Sequence, residues 1–92
     1  MTATETVEYA LNLARERLSE MPTFEIFASV VAQLEYLLSV LQGNPDRTRL
    51  KNIIVGHYGA REFAESDPKF AQALMSAQNI ATKMSKGLKA DA

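Results

Sequence analysis

The side chains able to do chemistry are few in this 92-residue sequence, and they do not converge. It has one histidine, His57, and no cysteine, which removes disulfides, thiolate metal sites and cysteine nucleophiles. A metal site on His57 would need a second imidazole or a carboxylate one helical turn away, and residues three or four positions from it are Ile53, Ile54, Ala60 and Arg61. Paired carboxylates working as acid and base need an apolar cleft that drives their pKa values apart. The nearest grouping, Glu62, Glu65 and Asp67, has simpler explanations: Asp67 precedes Pro68 as a helix cap, and Glu62 falls on a solvated face. Gly56-His57-Tyr58-Gly59 is too short to be a phosphate-binding loop. No nucleophile is united with a base. The residues describe a binding protein without catalytic apparatus or cofactor.

Recognition chemistry is better represented. Residues 22–45 contain two charges, Glu25 and Glu35, and Ala28, Ser29, Ala32, Tyr36 and Ser39 lie away from the main apolar stripe of that segment. Such a weakly polar face carrying a tyrosine suits contact with another protein or a second copy of the chain. Tyr36, Tyr58 and Arg61 are the aromatic and guanidinium anchors that dominate interfaces, and Glu62 and Glu65 are acidic neighbours able to meet a cationic pocket. Tyr9, Leu13 and Met75 fall off their own stripes and either extend that surface or enlarge the core. Lys83, Lys86 and Lys89 form a basic edge that suits a helix C-terminus.

Helices must position these residues. Val7, Ala10, Leu11, Ala14, Leu18 and Met21 recur at helical spacing and predict a helix over about Thr4–Glu20, with Thr2 and Glu5 spaced as a capping box and Pro22 as the stop. Thr23 is the predicted N-cap of a second helix whose stripe, Phe27, Val30, Val31, Leu34, Leu37, Leu38 and Leu41, is wide enough to make it the central element, ending at Gly43. After Gly43-Asn44-Pro45, Asp46 is the predicted cap of a third helix with Leu50, Ile53, Ile54, His57, Ala60 and Ala64 on one face. That wheel places His57 in the core as a hydrogen-bonded structural histidine, the alternative being a functional one in a pocket or at a partner surface. Gly56 and Gly59 inside it each cost about 1 kcal/mol relative to alanine, and close approach of a neighbouring helix or a kink would account for them. Asp67 and Pro68 open a fourth helix with Phe70, Leu74, Ala77, Ala81 and Met84, ending at Gly87. The predicted fold is all-α: a compact four-helix bundle, antiparallel in up-down-up-down order, forming a single domain over 1–92.

Charge and hydropathy set the context. The net charge is −1 and 47% of residues are hydrophobic, so nucleic acid is not a default partner. Residues 1–45 carry two arginines against six glutamates, a net of −4; residues 46–92 carry eight cations against five anions, a net of +3. This polarity would steer association with a charged partner. The acidic N-terminus does not read as a signal peptide, and the apolar zone Phe24 to Leu41 is broken by Glu25, Gln33 and Glu35, so a cytoplasmic protein without membrane contact is expected.

Three stretches, Gln33-Leu34-Glu35-Tyr36-Leu37-Leu38-Ser39-Val40-Leu41, Arg61-Glu62-Phe63-Ala64-Glu65-Ser66-Asp67-Pro68 and Gly87-Leu88-Lys89-Ala90-Asp91, resemble the immunity proteins that neutralise type VI secretion NAD(P)-glycohydrolase toxins, and the likeness runs over nearly the whole chain. The resemblance implies a protein that binds the C-terminal toxin domain of an interbacterial effector in the cytosol and obstructs its active site. It carries no catalytic motif to transfer. The competing reading of the residues alone is a homodimeric helical adaptor or regulator without a toxin partner.

Overall fold

The computed structural model describes residues 1–88, so Lys89, Ala90 and Asp91 of the 87–91 stretch lie outside the described residues. Each long helix forms where apolar periodicity meets cap chemistry. Helix α1 spans Ala3–Glu20; Thr2 accepts from the Glu5 amide at 3.1 Å while Glu5 Oε1 accepts from the Thr2 amide at 2.9 Å, the reciprocal box that satisfies two otherwise orphaned donors. Helix α2 spans Glu25–Leu41. Its N-cap is Phe24, with no side-chain bond to the first turn, so the expected Thr23 cap is corrected by one residue. Helix α4 spans Pro68–Ser85, with Asp67 accepting from the Phe70 amide and Pro68 at the start. Both Gly43, at φ 113°, and Gly87, at φ 76°, take the left-handed conformation that closes α2 and α4. In each case the next residue's amide reaches back to the third-last helical carbonyl, Asn44 to Ser39 at 3.0 Å and Leu88 to Lys83 at 2.9 Å, which caps two exposed ends.

The third segment departs from the predicted continuous helix. Asp46 does not cap a helix; its Oδ1 accepts from the Thr48 amide and hydroxyl at 3.1 and 2.6 Å, closing a polar turn. A 3₁₀ turn follows at Leu50–Asn52, then a single turn, α3, at Val55–Tyr58, which widens into a π turn at Gly59–Phe63. The break shifts the helical phase. Leu50 and Ile53 are buried as expected, but Ile54, His57, Ala60 and Ala64 are exposed, and Val55, Gly56, Gly59 and Phe63 take the inner face instead. His57 is therefore a surface residue, not the buried structural histidine that the wheel predicts.

The four members pack as a bundle with the third shortened. A turn over 21–24 folds α2 back along α1, and α1 packs against both α2 and α4. The end of α1 meets the start of α4 through Arg17 and Asp67, which sets those two antiparallel. Phe27 near the start of α2 stacks on Phe63 at the end of the π turn, so the third segment runs against α2, in keeping with up-down-up-down order. α1 joins α2 to α4, and α4 joins α1 to the whole third segment, so α2 is not the central element that its wide stripe predicts. The core is Val7, Ala10, Leu11 and Ala14 of α1, Val30, Leu34 and Leu37 of α2, Val55, and Phe70, Leu74, Ala77 and Ala81 of α4. Leu13 joins it, whereas Tyr9 and Met75 are exposed. Among the described residues no buried side-chain polar atom lacks a partner, as a well-formed interior requires.

Gly56 and Gly59 let α3 approach α4. A Cβ on Gly56 would lie 2.6 Å from Gln78 Cβ, and one on Gly59 would lie 3.0 Å from the Ala71 carbonyl oxygen. Close approach, not a phosphate loop, is why glycine stands at both. Two glutamines then hold the irregular backbone. Gln78 accepts from the Gly56 amide at 3.1 Å and donates to the Ile53 carbonyl at 2.8 Å, while Gln33 of α2 accepts from the Ile54 amide at 2.8 Å. The amides replace ladder bonds that a regular helix would have made for itself.

Candidate functional site

All four phenylalanines of the chain gather at one end of the bundle. Phe24 meets Phe27 edge-on with centroids 5.0 Å apart, Phe27 stacks on Phe63 at 5.5 Å, and Phe63 lies 5.0 Å from Phe70. Such pairs stabilise beyond their area alone. Phe24, Phe27 and Phe63 are the aromatic part of a cleft of about 400 Å³ whose lining also includes Met21, Arg17, Glu20, Glu62, Ser66 and Asp67, while Phe70 is fully buried behind them. Arg17 donates from Nε to Asp67 Oδ2 at 2.8 Å and sits 5.6 Å from the Phe70 ring centroid. The Arg17 hydrogen bond holds the Asp67 carboxyl below its ordinary range, helped by the Phe70 amide and opposed by desolvation. The same bond raises Arg17. Asp67 is thus cap and ion-pair partner at once, and these roles keep it occupied.

A second cleft, of about 150 Å³, lies between α2 and the turn before α3, with Ala32, Gln33, Tyr36, Arg49, Asn52 and Ile53 as its lining. Tyr36 is fixed there from three directions. Its hydroxyl donates to the Asp46 carbonyl at 2.8 Å and accepts from the Arg49 amide at 3.2 Å, and the Arg49 guanidinium lies 4.3 Å from its ring centroid, close enough for a cation–π contact. Ile54 beside this region is 44% exposed.

The residues predicted to bind a partner do not form one cluster. Tyr36 lines the second cleft and Glu62 the first. Tyr58 is half-buried and packs against the core. Arg61 is exposed and donates from Nη1 to His57 Nε2 at 3.2 Å, one turn away on the same segment; guanidinium has no acceptor, so the imidazole accepts. Glu65 is exposed in the connection to α4. Helical periodicity does not reveal the aromatic cleft, because it places Phe27 and Phe70 on two separate stripes. Met21 was counted on the apolar face of α1 and is 55% exposed at the cleft mouth. The sequence signal that could have found it is that the phenylalanines all flank the 21–24 and 64–67 connections. Among the described residues no grouping of three metal-ligating side chains occurs and no helix is long and apolar enough to cross a membrane.

Fold and clefts together define a small all-helical protein whose surface features are those of recognition. The Tsi6 family model matches residues 2–83. A curated relative, the immune protein Tsi6 of Pseudomonas aeruginosa strain PAO1, is 36% identical over 92 residues, covering 99% of this chain and 98% of its own. A chain of the structure of Tse6 in complex with Tsi6 superposes with a TM-score of 0.93 at 35% identity, over 100% of this chain and 99% of that one. The structure of Tsi6 from Pseudomonas aeruginosa gives 0.83 at 35% identity, over 88% and 95%. The chain belongs to the Tsi6 family, and the resemblance to immunity proteins read from residues 33–41 and 61–68 is borne out.

Proposed function

We propose that this chain is an immunity protein that binds the C-terminal toxin domain of a type VI secretion effector in the cytoplasm and occludes its active site. The observation that carries the reading is full-length similarity to a chain of a structure containing Tse6 and Tsi6, joined to 36% identity with an immune protein. The resemblance further implies that the toxin is an NAD(P) glycohydrolase. Occlusion asks for a rigid body with anchoring side chains, not for proton transfer or a cofactor, so the chain acts without catalysis of its own. Tyr36, Tyr58, Arg61, Glu62 and Glu65 are the proposed contacts. Tyr36 supports this role because its ring is already immobilised by Arg49 and the 46–49 turn, and a pre-ordered aromatic loses little side-chain entropy on docking. The test is co-expression with the adjacent candidate toxin domain in a susceptible bacterium, following growth and cellular NAD(P). Rescue with NAD(P) preserved supports both the role and the chemistry. Rescue from a toxin that never depletes NAD(P) keeps the role and discards the chemistry. Neither rescue nor binding refutes both and favours the homodimeric adaptor.

A further inference from the structure

We propose that the aromatic-floored cleft between the α1–α2 turn and the π turn receives a lysine or arginine side chain of the partner protein, with its aliphatic stem over Met21 and Phe24 and its cationic head toward Glu20 and Glu62. This rests on the reading of the chain as a partner-binding protein and names the surface and its occupant. The cleft offers apolar floor and acidic rim together. Of the four charged residues in its lining, Arg17 and Asp67 pair with each other at 2.8 Å, which leaves Glu20 and Glu62 as the two carboxylates of the lining outside that pair, with Lys69 acting from the far side of Asp67. An apolar floor alone would take a leucine or a phenylalanine equally well. A floor under two carboxylates selects a side chain that is apolar along its stem and positive at its tip. The opening is also accessible: Met21 is 55% exposed, and Phe24 is half-buried against the core, neither sealed over by another part of the described chain.

The decisive experiment changes the sign of charge at the cleft mouth without touching the fold. Met21→Lys, Met21→Glu and Glu62→Gln are compared with the wild-type chain for binding to the cognate toxin domain by titration calorimetry, at low and high salt, with melting curves confirming that each variant is folded. Met21→Lys places a competing ammonium over the floor and should weaken binding by about tenfold or more. Met21→Glu should bind within about threefold of wild type or more tightly, and Glu62→Gln should weaken binding by about tenfold. Raising the salt should narrow the gap between the lysine and glutamate variants. Equal effects of lysine and glutamate, or none from either, overturn the proposal. It also falls if Met21→Lys alters self-association while toxin binding is unchanged, since the cleft would then be a contact between copies of this chain. Failure of the wild-type chain to bind any candidate toxin domain refutes the immunity reading instead, and the two outcomes are told apart by that control.

Discussion

Substituting Gly56 by alanine sets two expectations against each other. Helix propensity alone favours alanine by about 1 kcal/mol. The packing opposes it. The new methyl would lie 2.6 Å from Gln78 Cβ and 2.7 Å from Cγ, and Cβ is fixed by the α4 backbone, so rotation of the glutamine side chain cannot relieve the contact. α3 must retreat from α4, and overpacking of this kind costs about 1–3 kcal/mol. The retreat also stretches the two bonds that Gln78 makes to the Gly56 amide and the Ile53 carbonyl, each contributing about 1 kcal/mol. The net expectation is a loss of about 2 kcal/mol, which in a domain of this size lowers Tm by about 8–16 °C. Far-UV circular dichroism during thermal and urea unfolding reads this directly, since the helical signal is large and the chain has no tryptophan. The urea m value should be unchanged. The double variant Gly56→Ala/Gln78→Ala should remain destabilised, because the clash with Cβ survives the shortening. A Gly56→Ala protein as stable as wild type, or more so, would show that α3 and α4 have slack between them and would refute the close-approach account.

Three further outcomes are expected. Asp67→Asn removes the charged partner of Arg17 and should lower stability by about 1–2 kcal/mol at neutral pH, the side chains being 20% and 29% exposed and so only partly screened. Because the folded-state pKa of Asp67 is depressed, its contribution is present above the unfolded value of about 3.9 and lost as pH falls through the folded value; an acid denaturation series should show this limb in wild type and lose it in Asp67→Asn. Gly43→Ala should cost about 1–2 kcal/mol entirely through backbone strain, since φ is 113° and a Cβ there meets nothing within 4 Å; thermal melts check it, and no loss would contradict the left-handed cap. Tyr36→Phe keeps the ring beneath Arg49 but loses both hydroxyl bonds to the 46–49 turn, so amide exchange at Arg49 should speed up by about fivefold to tenfold with little change in global stability.

Where an element is specified by its own residues, the sequence shows it plainly. The Thr2–Glu5 box, Asp67-Pro68, and the glycines at 43 and 87 are local devices, and each forms as its spacing predicts because nothing remote competes with it. The third segment is the opposite case. Leu50, Ile53, Ile54 and His57 fit a helical wheel, yet the conformation there is chosen by Gln33 and Gln78, which lie 21 and 22 positions along the chain from the amides they bind. A periodicity argument has no access to a hydrogen bond made from another helix, and for that reason the wheel misplaces His57. The candidate site was legible in part. Tyr36, Arg61, Glu62 and Glu65 could be picked out as polar or aromatic residues off the core stripe, but the cleft needs Phe24, Phe27 and Phe63 to be neighbours, which is a property of the bundle's topology.

The π turn connects these two observations. Val55, Gly59 and Phe63 are all buried at successive spacings of four, and in a regular α-helix each such step overshoots a full turn by about 40°. Two steps would carry Phe63 well round from Val55 and toward solvent. The wider π turn over Gly59–Phe63 absorbs much of that drift, so Phe63 reaches Phe27 and Phe70 while the residue before it, Glu62, comes to the edge of the cleft. An α-helix through the same residues would bury less of Phe63 and turn Glu62 away from Met21 and Glu20. The irregular segment is therefore not a weak copy of a regular third helix; it is the element whose register places an acidic side chain beside an apolar floor. Glycine at 56 and 59, the glutamine bonds from α2 and α4, and the π turn are parts of one arrangement, and under the proposed immunity role a variant that restored regular helix there should bind the toxin domain more weakly by titration calorimetry even where its melting temperature rose.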